Sequence, residues 1–522
     1  MTYCVQKLTN SEGASVAIGG MDVPAGGVDI PADVGLKEDS VSLIGDFVVS
    51  IANVAPSSSV AYTLAILVAF AGHIAPLAVL IVGIAMAFCS VGYASLNRWR
   101  AHAGAPYIWV GEAVSPPIGV GTGLLNVAVS TFANVGNITL AGAYFLVVVT
   151  PTGDTFSNPV TWLVAAAIMG VLVYLAIRGI RPSVRLQWTF VFIEYSAVIA
   201  FVVLALIHEA GHAGGATLPS IHDFAFSGAV HGIGGFTGLA KAAVPCGFLY
   251  LGWEATAVLG EESTDRKVNP GRAMMMGTIF LTIWYTFLIC VFEGVSSQAN
   301  VLKYGTNVLA YAGQLLVPGF WGRALPLAVL VAVIGTCQIQ MIEPSRVLYA
   351  LARDKLIPRV FGFIGRKHQT PWAALLILAA IPPALLIPYL VNSSANHAIG
   401  DIISADGMIG LFMYFVIACA SVWFYRDHLR HSPGKFLVLG LLPLLGGLFM
   451  GVDFGYGLTT QAHVVSWVAA IIIVVVFALG YIIYAARPSS PYFLEMKERR
   501  RQGIRATDEV AAANNEVTAS ND

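Results

Sequence analysis

Two apolar stretches of this chain carry residues that a lipid-soluble helix has no reason to contain. Ala55-Pro56-Ser57-Ser58-Ser59 interrupts the stretch from Leu43 to about Phe70, and Gly247-Phe248-Leu249-Tyr250-Leu251-Gly252-Trp253-Glu254 interrupts that from Gly235 to Leu259. The chemistry such breaks can do is recognition. Backbone groups freed in hydrocarbon cost several kcal/mol each and persist only where they line a cavity. Pro56 has no N–H and leaves the carbonyl of Ala52 without its helical donor, an acceptor suited to an ammonium group. Ser57, Ser58 and Ser59 can supply donors through hydroxyls or amides. The bland alternative is a proline kink with serines bonding back to their own helix. A pair of breaks, one in each half of a chain, favours a secondary transporter's solute site.

Ionisable residues inside apolar stretches are functional candidates by default. Glu194 and Glu254 stand out as coupling candidates. Glu343, three residues before Arg346, predicts an ion pair within one helix. Lys241 and Glu293 lie toward a stretch end and read as snorkelling; Asp46 reads as wet. Asn126, Ser130 and Asn134 follow at i, i+4 and i+8 and share a helical face. They are either a site wall or glue between helices, worth ~0.6 kcal/mol each.

One motif points to another class. His208-Glu209-Ala210-Gly211-His212 fits H-E-x-x-H, the helical zinc site of metalloproteases. Gly211, Gly214 and Gly215 argue against the continuous helix that it needs, and Leu218 stands where a third histidine would be. His222 and His231 follow in the same loop, so adventitious metal binding there stays open. The protease reading is the weak one: no catalytic residue, metal site or cofactor is expected. No P-loop motif is present either, which leaves ATP-driven transport unsupported.

The elements that must position these residues follow from composition. The chain has 522 residues, 57% hydrophobic and 11% charged, and a net charge of −1. That excludes a soluble enzyme and gives no reason to expect a nucleic-acid partner. Six cysteines without C-x-x-C spacing suggest neither a disulfide framework nor zinc. Stretches of the ~20 apolar residues that a span needs run over 43–70, 73–95, 117–149, 159–178, 184–208, 235–259, 273–297, 324–347, 371–391, 404–425, 435–453 and 463–485. With both ends inside, 25 of the 28 Lys and Arg fall on inner segments; only Lys241, Lys303 and Arg323 do not. The positive-inside rule therefore predicts twelve spans in a plasma (inner) membrane with both termini cytoplasmic. Residues 1–42, with no cleavable signal pattern, and 486–522 read as cytoplasmic tails; 209–234 reads as an external loop.

Gly252-Trp253-Glu254, Gly260-Glu261-Glu262-Ser263 and Asn269-Pro270 resemble the sixth-helix motif of permeases in the amino acid/polyamine/organocation family. Ser345-Arg346-Val347-Leu348-Tyr349-Ala350-Leu351-Ala352-Arg353-Asp354-Lys355-Leu356-Ile357-Pro358 is similar to the segment after that family's eighth helix. Ala103-Gly104-Ala105-Pro106-Tyr107 resembles the segment before its third. The resemblance implies an all-α membrane protein with a LeuT-like core. That core would be two inverted five-helix repeats, 43–208 and 235–425, with helices 1 and 6 broken, followed by accessory helices at 435–485. It also implies transport of an amino acid or small amine by alternating access, usually coupled to a cation gradient; a proton is the expected coupling ion and sodium the alternative.

Carried over residue by residue, the resemblance implies a substrate site of Ala55, Pro56, Ser57, Ser58, Ser59, Ser130, Asn134, Phe248, Leu251 and Gly252. Phe248 and Asn126 would gate it. Glu194 falls where relatives place a lysine in lieu of sodium; a glutamate there would bind a proton or help hold a cation. The first break departs from the family's Gly-rich pattern, which mildly favours a polyamine or amine carrier or exchanger. A channel is the remaining transport alternative. The implied partners are a small-molecule solute and the lipid bilayer.

Overall fold

The computed structural model describes residues 35–150, 159–211, 216–225, 235–392, 395–430 and 432–501. His212 and His231, most of the N-terminal tail and the last part of the C-terminal one lie outside them.

Among the described residues every regular element is a helix, save an isolated bridge between Val41 and Ser263. Ten helical stretches among them are long and apolar enough to cross a membrane, and Trp372–Ala384 is a shorter apolar one. The first, Leu43–Trp99, has 57 residues. As straight helix it would reach about 85 Å, against the ~30 Å of a hydrocarbon core. It is not straight. α1 (Leu43–Val54) stops at Ala55, α2 (Pro56–Ala71) stops at Gly72, and α3 (Ala75–Trp99) follows. After α4 (Ala105–Ala113) come α5 (Pro116–Val149), α6 (Pro159–Ile177) and α7 (Ile180–Ala210).

The second half begins with α8 (Gly235–Leu249), which leads through Tyr250–Gly252 into a tight 3₁₀ run, Trp253–Leu259. Then follow α9 (Asn269–Gly294), the short α10 (Gln298–Tyr304) and α11 (Val308–Leu316), and α12 (Ala324–Arg353). α13 (Trp372–Asn392), α14 (Ala395–Tyr425), α15 (Leu442–Thr460), α16 (His463–Ala486) and α17 (Pro491–Arg501) complete the order.

Burial sorts these helices into a centre and a belt. The broken pair α1/α2 and α8/3₁₀ packs together, with α3, α9, α12 and α14 around it, and α5 packs on α12 and α14. Val60 and Leu64 on α2 are 0% exposed. α6 and α7 instead present Leu163 and Phe192 at 72% and 73% exposure. Apolar side chains that face outward along whole helices are what a lipid-facing surface requires.

Parts of both expected tails pack against the helices. Leu36 and Val41 are buried, and the N–H groups of Ser40 and Val41 both donate to the Glu262 carbonyl. At the other end, residues 491–501 form α17 because Tyr492, Phe493 and Met496 recur on one face and are buried there. The Tyr492 hydroxyl donates to the Tyr107 carbonyl (3.2 Å) and fills the space beside Gly111, where a Cβ would lie 1.8 Å from it.

Candidate functional site

The first break is made by one residue. Ala55 adopts the left-handed conformation (φ 46°, ψ 73°), which costs a non-glycine residue roughly 1–2 kcal/mol. Pro56 follows as the first residue of α2, where its missing N–H is no loss. The carbonyl of Ala52 is not free, as Pro56 had suggested. It accepts from the Ala55 N–H (3.2 Å) and the Thr336 hydroxyl (3.0 Å). Val54's carbonyl accepts from Ser59 Oγ (2.7 Å) and Tyr285 (3.1 Å), and Ser58 Oγ donates to Ala55 (3.0 Å). Ser58 and Ser59 thus bond back to their own break. Ser57 reaches out: its N–H and its hydroxyl both donate to Glu194 Oε1, at 2.9 and 2.8 Å. All three serine hydroxyls at this break are thus engaged.

The second break is centred on Gly252 (φ 117°). A Cβ there would be strained and would meet the Asn53 amide at 2.8 Å. Gly247 has a different role from the unwinding expected of it. It lies inside α8, where Leu411 approaches so closely that a Cβ would sit 2.8 Å from it.

The two breaks face each other. Asn53 Nδ2 donates to the Gly252 carbonyl (3.0 Å) and Ser50 Oγ to that of Trp253 (2.8 Å). Tyr62 of α2 meets Phe248 of α8 edge-on, ring centroids 6.0 Å apart, and Phe248 is buried, not lipid-facing. Glu254 Oε2 accepts from Tyr414 (2.6 Å) and from the Gly252 N–H (3.2 Å).

Glu343 corrects a sequence expectation. It does not pair with Arg346, whose guanidinium makes a two-pronged contact with Glu262 (3.0 and 3.2 Å), both side chains fully buried. Glu343 instead accepts from Asn126 (2.9 Å) and, more distantly, Asn53 (3.5 Å). Asn126 is therefore tied to α12. Asn134 donates to the Cys337 carbonyl (3.2 Å), so the polar face of α5 holds α12; Ser130 Oγ bonds back to Asn126 (3.2 Å). Two rim readings also change. Asp46 is buried and accepts from Ser263 (3.0 Å), and Glu293 is buried too.

Asp406 escaped the sequence reading. It is fully buried on α14, and neither carboxylate oxygen has a partner. It lies within electrostatic reach of Glu254 and Glu343. α14 approaches the second break through glycines: a Cβ at Gly407 would sit 3.1 Å from Phe248, and one at Gly410 2.3 Å from Leu251. Among the described residues, no Lys or Arg pairs with Glu254, Glu343 or Asp406. The amide oxygens of Asn53, Asn126 and Asn134 are buried without a donor as well. The centre is rich in unanswered acceptors.

A separate network closes the basic end. Arg353 holds Glu261 two-pronged (2.9 and 2.8 Å), and the Ala103 N–H adds a third bond (2.9 Å). Tyr107 donates to Asp354 beside it. Burial pushes the Glu261 carboxyl up, but Arg353, His102 and the Ala103 N–H outweigh it and hold the group at about 2. Burial likewise brings His102 down to about 3, against Glu261 and with Arg353, so it is neutral. A carboxyl held below the ~4.3 of free glutamate stabilises fully above that pH and loses its effect only as pH falls toward about 2. The unfolding difference between wild type and Glu261→Gln should therefore be flat from about pH 5 to 8. Thermal unfolding across that range checks it, and a difference that shrinks toward pH 5 contradicts the assignment.

A helical bundle, among the described residues, with two broken helices meeting at a buried polar centre fits a membrane transporter. The comparisons agree: the chain belongs to the amino acid permease family, whose sequence pattern matches residues 47–494. It is similar to the low-affinity putrescine importer PlaP of Escherichia coli (strain K12), 25% identical over 395 residues, 73% of this chain and 80% of that one. It is also similar to the branched-chain amino acid permease BcaP of Bacillus subtilis (strain 168), 23% identical over 337 residues, 62% of this chain and 63% of that one. The lysine-specific permease LysP of Escherichia coli (strain K12) is 23% identical over 309 residues, 58% of this chain and 62% of that one. These are carriers and not enzymes, and the H-E-x-x-H match is no protease site. α7 ends at Ala210, within the motif.

Proposed function

We propose that this chain is a secondary transporter that imports a small organic amine by alternating access. The observation that carries the reading is the cluster of Glu254, Glu343 and Asp406, buried with no basic partner and beside three amide oxygens that lack donors. A substrate carboxylate would need donors at the first break, and there both donors of Ser57 and the hydroxyls of Ser58 and Ser59 are already engaged. An ammonium group brings donors and positive charge to acceptors that have neither. The similarity to a putrescine importer supports the same class.

The proposed architecture is twelve spans, the 57-residue run at Leu43–Trp99 counting twice and α13 once. Five helices would form each inverted repeat, α15 and α16 would be accessory, and the basic end with both termini would be cytoplasmic. The breaks would hold the solute at mid-membrane, with Phe248 and Tyr62 closing over it. Closure follows if the occluded state binds the solute more tightly. Asn126, Ser130 and Asn134 serve this reading as a wall fixed to α12.

A proton is the proposed coupling ion and Glu194 its carrier. That carboxylate joins α7 to the N-terminus of α2, so a proton gained or lost there acts directly on the broken helix. Glu194→Gln keeps an acceptor for Ser57 and removes the exchangeable proton. Proteoliposome uptake of labelled putrescine, leucine and lysine tests the whole reading. Saturable putrescine uptake driven by a pH gradient, and insensitive to sodium, is expected. Glu194→Gln should lower the gradient-driven stimulation by roughly tenfold or more. Transport of leucine but no amine would overturn the substrate class, and unchanged stimulation in the variant would remove Glu194 from coupling.

A further inference from the structure

Between the end of α3, the start of α9 and the turns that lead into α15 lies a groove of about 420 Å³. Arg98, Lys267 and Arg272 line it, and no acidic side chain does. All three cations are exposed, and among the described residues none of them is in an ion pair. α9 begins at Asn269, so the positive end of its dipole stands at the same mouth. The walls are apolar: Val91, Met275, Val438 and Leu439. The last two belong to a π-helical run, Phe436–Leu441, a rare conformation that recurs at functional sites. α3 and α9 meet along the groove, where a Cβ on Gly271 would lie 3.1 Å from Ala94. Tyr425 of α14 ties its hydroxyl to the Ser95 carbonyl there (2.8 Å). The apolar surface continues beyond the groove. Arg272, Met275, Ile279 and Ile283 share one face of α9, and Ile279 and Ile283 are exposed. From Arg272 to Ile283 the helix rises about 16 Å, close to half of the ~30 Å hydrocarbon core. α3 repeats the arrangement with Arg98, Val91 and the exposed Ile84. Positive charge at one level and an apolar track one leaflet deep match an anion that carries a hydrocarbon chain.

We propose that this groove holds one anionic phospholipid of the inner leaflet, its phosphate on Arg98, Lys267 and Arg272 and an acyl chain along α9. Charge complementarity selects the headgroup: a zwitterionic lipid would bring a further cation to three that are unanswered. The track from Met275 to Ile283 selects the tail, since a free phosphate would use only the mouth. Basic pockets between membrane helices on the cytoplasmic side suit such headgroups. The siting rests on the charge count that puts this end inside, and it is independent of which solute the centre carries. Seated there, the lipid would join α3 and α9 to the run before α15.

The full chain, purified and delipidated in a neutral detergent, is titrated with phosphatidylglycerol or with phosphatidylcholine of the same acyl chains, and bound lipid is counted by native mass spectrometry. One phosphatidylglycerol per chain should bind roughly tenfold or more tightly than phosphatidylcholine. Arg98→Gln/Lys267→Gln/Arg272→Gln should abolish that preference. Arg359→Gln/Arg366→Gln/Lys367→Gln removes three exposed charges from another segment of the same inner side and should keep it. Val438→Trp fills the groove without touching a charge and should weaken binding of both lipids; it serves alone should the first triple variant not fold. Millimolar inorganic phosphate or glycerol 1-phosphate should not displace the lipid. Equal affinity for the two lipids, or an equal loss of preference in both triple variants, would overturn the proposal by reducing it to general attraction of a basic surface. Displacement by inorganic phosphate, or normal lipid binding in Val438→Trp, would overturn it too, since the acyl chain would then have no place in the groove.

Discussion

Asp406→Asn is expected to cut amine affinity by roughly 30-fold or more while leaving the empty protein at least as stable as before. Both halves follow from one fact: the Asp406 carboxylate is buried and its oxygens have no donor. Removing one partner of a buried charge pair costs about 2–5 kcal/mol, and each 1.4 kcal/mol is a factor of about ten in binding. In the unliganded protein there is no partner to lose. Exchanging an uncompensated carboxylate for a neutral amide of the same shape relieves desolvation. Equilibrium binding of labelled putrescine and thermal unfolding of the same preparation measure the two effects. A variant that is destabilised but binds normally would show Asp406 to be structural.

The second large effect is the reverse case. Arg346 and Glu262 are fully buried and matched to each other. Arg346→Met leaves the Glu262 carboxylate alone in the interior, a loss of about 3–5 kcal/mol in stability. Arg346→Met/Glu262→Leu removes both charges and should recover most of it, since a buried pair exchanged for apolar residues is often neutral or better. Unfolding midpoints of wild type, both single variants and the double variant close the cycle. Additive losses would mean that the pair is not a unit. The same set separates this pair from the amine site: Glu343→Gln keeps its bond from Asn126 and should leave stability little changed while weakening binding.

The helix breaks were legible because proline and glycine conflict locally with a helix. Pro56 marks a boundary one residue past the true pivot, and Gly252 sits on the other. Gly247 misled, because a glycine kept for close packing and one kept for a positive φ look alike in sequence. Partners across the bundle were not legible. Ser57 and Glu194 are 137 positions apart, and nothing local joins them. Glu343 and Arg346 do share a helix at ion-pair spacing, yet Glu262, from another segment, offers the better fork. Asp406 was missed because it stands at the start of the span 404–425, which the structure bears out, and so reads as a rim residue. Its burial comes from packing: α14 begins earlier, at Ala395, and Asp406 is 0% exposed. Polar residues such as His397, Asp401 and Ser404 hid those early turns, since hydropathy weighs composition and not hydrogen bonding.

The bond from Tyr492 to Tyr107 joins residues 385 positions apart. Ribosomes add ~5–20 residues per second, so α4 waits about 20–80 s after its own synthesis for the side chain that completes it. A nascent chain released before Tyr492 would keep a gap beside Gly111. The packing of α4 is thus completed late in synthesis, by a side chain far along the chain.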